Sequence, residues 1–220
     1  MEKRKITFGT YDTAAHGWTL SAWRLGEAAQ KTRYVEKEGG DGSWDYSTAL
    51  TDGILRYSDR PLSVTLTGST GDRLSREDEI RRMINELDGL RLDIYLPDDP
   101  NHHVTGRLHV VREFNNPAYA QVSVSATCDP WKYANKETSV NLTATATAQK
   151  ARLVNNGKRA VVPVLTVTGS NVLLAFGASS LALSAGTHQW PDLLLTTGAH
   201  ELTYSGTGSV RITYREAVLE

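Results

Sequence analysis

The sequence is short of the residues that mark most familiar classes of function. It has one cysteine, Cys128, so no internal disulfide can form, as expected of a protein made in a reducing cytoplasm. No segment reaches the roughly 18 apolar residues of a membrane-spanning helix, and no long apolar stretch follows Met1-Glu2-Lys3-Arg4-Lys5 as an export signal would require. Neither membrane association nor secretion is expected. An excess of one charge is also missing. Up to residue 135 there are 17 basic against 20 acidic residues, after it 7 against 5, and the formal net charge is −1. Neither half has the cationic footprint of a nucleic-acid binder, so no specific nucleic-acid partner is expected.

The strong catalytic signatures are absent as well. No Gly-x-Ser-x-Gly string offers a nucleophile elbow, no Gly-Lys-Ser/Thr forms a phosphate loop, and neither Cys-x-x-Cys nor His-Glu-x-x-His occurs. Paired carboxylates are defined by spatial separation, and no pair stands out in the sequence. The expectation is a protein without enzymatic activity and without a cofactor.

What remains is a β-rich pattern. Leu62, Val64 and Leu66 alternate with Ser63 and Thr65; Leu92, Ile94 and Leu96 follow the same rule until Pro97; and Val104–Phe114, Tyr119–Cys128 and Thr138–Thr147 all alternate. Such runs are strands of an antiparallel sheet with one wet face. One helix interrupts them. Ile80, Met83, Ile84 and Leu87 recur at helical spacing near 75–88, Ser75 is the expected N-cap with Glu77, Asp78 and Glu79 in the dipole-favoured first turn, and Gly89 is the stop. Glu36 to Asp59, rich in Gly and Asp, reads as a long loop.

From Ala151 on, short apolar runs follow at even spacing: Ala151–Val154, Val161–Val167, Val172–Phe176, Ser180–Leu183, Leu193–Thr196, Glu201–Tyr204 and Ser209–Tyr214. Gly or Asn punctuates the gaps, as at Gly169, Gly177 and Gly206–Gly208. Seven short strands in about 70 residues indicate a small β-sandwich. The expected division is residues 1–135 and 136–220.

Three clusters bear on chemistry. Asp98, Asp99, His102 and His103 group two carboxylates with two imidazoles, but adjacent histidines on an extended chain point opposite ways, and a polar hairpin tip accounts for them. Asp41, Asp45 and Asp52 lack the Asp-x-Asp-x-Asp-Gly spacing of a calcium loop. Trp131, Tyr133, Trp190, Tyr204 and Tyr214 are the candidate stacking platforms for sugars, although Tyr204 and Tyr214 share the parity of Leu202 and Ile212 and should be packed. Asn141-Leu142-Thr143 is a glycosylation acceptor only in form, lying within a strand.

The segment Lys31–Gly68 carries a more specific pattern: a strand leads into Gly-x-Asp-Gly, followed by Asp, a hydroxylated residue, Leu, and Tyr-x-x-Arg. Here Gly39 and Gly40, Asp41, Gly42, Asp45, Ser47, Leu50, Tyr57 and Arg60 occupy those places. With Gly106-Arg107-Leu108, Thr127-Cys128-Asp129-Pro130-Trp131 and the final Ser209–Arg215 stretch in order behind it, the chain resembles the distal tail proteins of long-tailed bacterial viruses over nearly its whole length.

The resemblance implies a mainly β protein with one helix: an N-terminal β-sandwich belt domain (1–135) and a C-terminal galectin-like β-sandwich (136–220). It implies a homo-oligomeric, six-membered ring at the virion tail tip, made in the bacterial host's cytoplasm. That ring would bind the tail-tube protein on one side and the tail-associated protein on the other, with receptor-binding or baseplate proteins as peripheral partners. Gly40, Asp41, Gly42, Asp45, Tyr57 and Arg60 are then expected at an inter-subunit or partner-facing loop. The sugar-binding His, Asn, Arg, Trp and Glu set of true galectins is not reproduced by His188-Gln189-Trp190 or His200-Glu201, so fold likeness brings no sugar specificity. The alternative is a carbohydrate-binding β-sandwich in host adhesion, and a tail-tip cell-wall hydrolase ranks last.

Overall fold

Alternation decides the architecture. In the strand Ala120–Cys128, every even-numbered residue from Ala120 to Cys128 is buried while the odd-numbered ones between face outward, because a strand sends successive side chains to opposite faces. The computed structural model describes residues 5–51 and 53–220. It is mainly β with one α-helix among those residues, and it divides into two compact units, one ending at Lys132 and the other running from Tyr133 to Glu220.

The first unit contains β1 (Thr7–Phe8), β2 (Tyr11–Asp12), β3 (Trp18–Leu25), β4 (Tyr34–Glu36), β5 (Ser43–Asp45), β6 (Arg60–Gly68), α1 (Arg73–Leu87), β7 (Arg91–Tyr95), β8 (His102–Asn115) and β9 (Ala120–Cys128). Seven strands pair in the order β2-β1-β7-β8-β9-β6-β3. Laid flat, seven strands would span about 29 Å at about 4.8 Å spacing. Yet β2 and β3, at opposite ends of that order, are separated by only the turn Thr13–Gly17, and Trp18 N–H donates to the Thr13 carbonyl at 2.9 Å. The sheet therefore curls until its two ends meet. Inside the curl, Phe8 and Tyr11 from one end and Trp18 and Leu20 from the other share a core with Ile80, Met83 and Leu87 of α1.

The helix starts earlier than its pattern suggests. Asp72 is the N-cap, accepting from Ser75 N–H at 2.7 Å, so the expected cap Ser75 is instead the capped residue, and no acidic side chain lies in the first turn. Both residue types cap well, and only the backbone distinguishes them. At the other end Asp88 accepts from Val110 N–H at 2.9 Å, and Gly89 ends the helix at φ 76°.

The second unit follows β10 (Lys132–Ala134) with β11 (Thr138–Ala144), β12 (Gln149–Asn155), β13 (Val164–Phe176), β14 (Ser179–Leu183), β15 (Gly186–Gln189), β16 (Gly198–Tyr214) and β17 (Ala217–Val218). Two of the expected turns are absent. Val161–Val167 and Val172–Phe176 were expected as separate strands but merge into β13, and Glu201–Tyr204 and Ser209–Tyr214 merge into β16; Leu193–Thr196 contributes only an isolated bridge, Val161 to Leu195. Both long strands bend at matched positions. The first half of β13 pairs with β15 and its second half with β14, while β16 pairs first with β12 and then with β11. At the bend, Asn171 has φ 57° and Gly206 and Gly208 have φ 119° and 138°, and a Cβ on Gly206 would collide with the Asn171 carbonyl. Gly169, Gly206 and Gly208, read as punctuation, are corners inside continuous strands, whereas Gly177 does turn the chain from β13 into β14. The two halves close on one core that includes Leu142, Leu153, Leu165, Leu174, Leu202 and Ile212.

Candidate functional site

The segment expected to be a long loop is a β-hairpin arm. It leaves the sheet after β3 and returns at β6, and its two ends are tied together. Gly26 N–H donates to Pro61 O at 2.7 Å, and the Arg60 guanidinium, only 5% exposed, donates from Nε to Gly26 O at 2.7 Å and from Nη1 to Pro130 O at 3.4 Å. Next, Ser58 N–H bonds Ala29 O, Gln30 bridges Tyr57, and Lys31 N–H bonds Arg56 O at 2.9 Å. The half-buried Tyr57 ring stands edge-on to Trp131 with centroids 5.3 Å apart.

Further out, Tyr46 N–H donates to Arg33 O at 2.8 Å, and β4 and β5 pair Tyr34 with Asp45, Val35 with Trp44 and Glu36 with Ser43. The turn at the tip closes through Lys37 N–H to Gly42 O at 3.2 Å, with Gly39 and Gly42 at φ 70° and 77°. Those positive angles, in open space, are what glycine supplies there. Residues 47–51 and 53–55 form a turn-rich excursion on the returning side, where Thr51 Oγ1 donates to Ile54 O at 2.6 Å. Asp45 accepts from Ser47 N–H at 2.8 Å, and the Ser47 hydroxyl and N–H hold its carboxyl below the ordinary carboxylate range. Gly40, Asp41, Gly42 and Asp45 all stand exposed on this arm, while Tyr57 and Arg60 form its root. Asp52 lies outside the described residues.

The arm exposes large apolar surface. Tyr34, Val35, Trp44, Tyr46 and Leu50 are all solvent-facing, Trp44 at 57% and Leu50 at 90%. Single exposed apolar side chains are ordinary, but five on one ribbon form a larger exposed apolar surface than scattered side chains do.

The other candidates are otherwise engaged. Asp99 accepts from His102 at 2.9 Å and pairs with Lys132 at 3.4 Å, while His103 is buried beside Asp93 and Tyr95. Among the described residues no group of three His, Cys, Asp or Glu side chains is placed to hold a metal ion. Of the proposed sugar platforms, Trp190 and Tyr214 are buried in the second core, Tyr214 OH donating to Val154 O at 2.7 Å. Tyr204 packs half-buried against that core, and Tyr133 carries Arg159 over its ring at 5.5 Å. An open groove of about 540 Å³ includes Asp88, Arg91, His109 and Asp129, but Arg91 pairs with Asp129 at 2.6 Å and His109 with Asp88 at 3.0 Å. Burial pushes the Cys128 thiol up to about 12, which leaves it a neutral core group.

One charged residue went unnoticed in the sequence. Arg76 is buried and donates to the Gly71, Asn116 and Pro117 carbonyls at 2.6, 2.7 and 3.1 Å, tying α1 to the β8–β9 turn. Its position was a signal, since residue 76 lies on the same helical stripe as Ile80, Met83 and Leu87.

No family model matches the chain, and no curated protein is similar to it in sequence. Its fold does have a solved counterpart. The crystal structure of the Dit protein of phage SPP1, described as a paradigm of the hub adsorption apparatus in phages infecting Gram-positive bacteria, superposes with a TM-score of 0.68. The match covers 97% of this chain and 99% of that one at 14% identity. Over that matched length the chain has the Dit fold.

Proposed function

We propose that this protein is a structural, non-enzymatic component of a phage tail: a hub that assembles as a ring at the tail tip and joins the tail tube to the host-adhesion apparatus. The observation that carries this reading is the apolar arm, displayed on a chain of which 97% superposes on the fold of a hub protein. A hub works by presenting surfaces. The arm is such a surface, while the buried charged and nucleophilic groups Arg60, Arg76, His103 and Cys128 belong to the packing of the first unit. On this reading the ring is homo-hexameric, one face meets the tail-tube protein and the other the tail-associated protein, and receptor-binding or baseplate proteins attach at the periphery. The second unit serves as an attachment module and has a galectin-like layout.

Mass photometry and negative-stain microscopy of the purified chain at micromolar concentration test this. A discrete closed ring is expected, and particles confined to the monomer mass overturn the reading. Zymography on host cell walls checks the absence of turnover, with a clearing zone as the contrary result.

A further inference from the structure

The two faces of the arm carry opposite charge. Because alternate residues of a strand project to opposite sides, the pairing of Val35 with Trp44 and the bond between Tyr46 N–H and Arg33 O place Arg33, Val35, Lys37, Trp44 and Tyr46 on one face. Lys37 Nζ over the Trp44 ring, 4.8 Å from its centroid, confirms that side. The pairing of Tyr34 with Asp45 and of Glu36 with Ser43 places those four residues on the other. One face is thus cationic and aromatic, and the other is anionic. Among the described residues no hydrogen bond or ion pair engages the Arg33 guanidinium or the Glu36 carboxylate, both of which are exposed. Asp45 has only its local Ser47 contact.

We propose that arms of successive copies of this chain stack face to face, the Arg33/Lys37/Trp44 face of one on the Glu36/Asp45 face of the next. The inference rests on the oligomeric reading above and names the contact and its polarity. Charge complementarity selects the occupant. Two arms related by a twofold axis would bring like face onto like face, cation against cation or carboxylate against carboxylate, which is repulsive. Only a head-to-tail arrangement matches opposite faces at every junction, and that is the contact type that closes into rings. Val35, Trp44 and Tyr46 supply the apolar area, and the charges set register and direction.

The test uses the full chain with two reversals, R33E/K37E on one face and E36K/D45K on the other. Each variant alone presents two faces of the same sign. Each is expected to shift the concentration of half-assembly at least tenfold upward in mass photometry at 0.1 M salt, with an unchanged circular dichroism melt. Mixed in equal amounts, the two variants regain complementary junctions, and assembly is expected to return near the wild-type midpoint in alternating rings. Wild-type assembly should weaken as salt rises to 1 M. Should E36K/D45K unfold through loss of the Asp45–Ser47 contact, E36K alone takes its place in the mixture. Variants that assemble as the wild type does, or a mixture that fails to recover, overturn arm stacking and leave the hub reading intact. A wild-type chain that stays monomeric overturns both.

Discussion

Arg60 and Gly26 clamp the root of the arm: the guanidinium of the first residue of β6 donates at 2.7 Å to the carbonyl of the residue just after β3. The contact joins the two ends of a 33-residue excursion at a buried point, where Arg60 is the charged side chain among several ties at the root. Replacing Arg60 with Ala leaves the Gly26 and Pro130 carbonyls without that donor and should destabilise the chain by about 3 kcal/mol, since hydrogen bonds to charged groups contribute about 1.5–3 kcal/mol each. Lys, which lacks the planar fork, should recover less than half of the loss. Urea unfolding measures both, and faster hydrogen exchange at the Gly26 and Ser58 amides would place the loosening at the root.

The bend of the second unit separates two kinds of glycine. Gly206→Ala forces a side chain onto the Asn171 carbonyl at φ 119° and should cost about 3 kcal/mol or more. Gly177→Ala has φ 59° but nothing within 4 Å of the new Cβ, so it should cost about 1 kcal/mol. Equal thermal shifts for the two variants would contradict the role assigned to the bend.

Acid should loosen the ends of α1. The Asp72 carboxyl is held below its ordinary range by the Ser75 N–H and hydroxyl, and that of Asp88 by the Val110 N–H and then His109. Burial would raise Asp99, but the His102 hydrogen bond and charge together with Lys132 outweigh it. A carboxyl lowered on folding contributes stability that is full above its unfolded value, about 4, and is lost as pH falls through the folded value. The urea midpoint should therefore hold from pH 7 to about 5 and drop below about 4, with a shallower drop in Asp88→Asn. A midpoint flat down to pH 3 would remove these caps from the stability of the fold.

Alkali acts on the opposite side. The Cys128 thiol, raised on folding from 9.0 to about 12, contributes stability that is complete below pH 9 and declines between there and 12. At pH 8 a thiol reagent should label Cys128 only as fast as the chain unfolds, and in urea at once. Rapid labelling of the folded chain would show the sheet opening at β9.

Trp44→Ala removes a ring that is 57% exposed and lies outside the core, touched by the exposed Lys37 ammonium. It should change the stability of the folded chain by no more than about 0.5 kcal/mol while weakening assembly, which side-by-side urea unfolding and a mass-photometry titration resolve.

Much of this fold was legible in the sequence. The alternation in β6, β8, β9 and β11 and the Ile80, Met83, Ile84, Leu87 stripe name their own elements, because burial of one face is written directly into the order of residues. What stayed hidden depended on a distant partner. Gly169 and Gly206 look like turns until β13 and β16 are seen pairing through them. The arm hid for the opposite reason: Tyr34, Val35 and Trp44 are exposed on both faces, so no buried stripe betrays the hairpin, although Tyr-Val-Glu and Ser-Trp-Asp flanking a Gly-rich turn were available as a sign. That the Gly40–Asp45 stretch belongs together was readable. That Arg60 is its buried root was not, because Gly26 and Pro130 reach it only through the curl of the sheet.

The bent strands also bear on how the second unit takes a load. β13 and β16 run unbroken through both layers, paired with each other from Val164 and Thr213 to Ala175 and Thr203. Tension applied along one layer passes through the bend into the other along covalent backbone, and the ladder between the two strands must yield by sliding many hydrogen bonds at once. Under a shear load along the pair, the hydrogen bonds of both layers would be strained together instead of one after another.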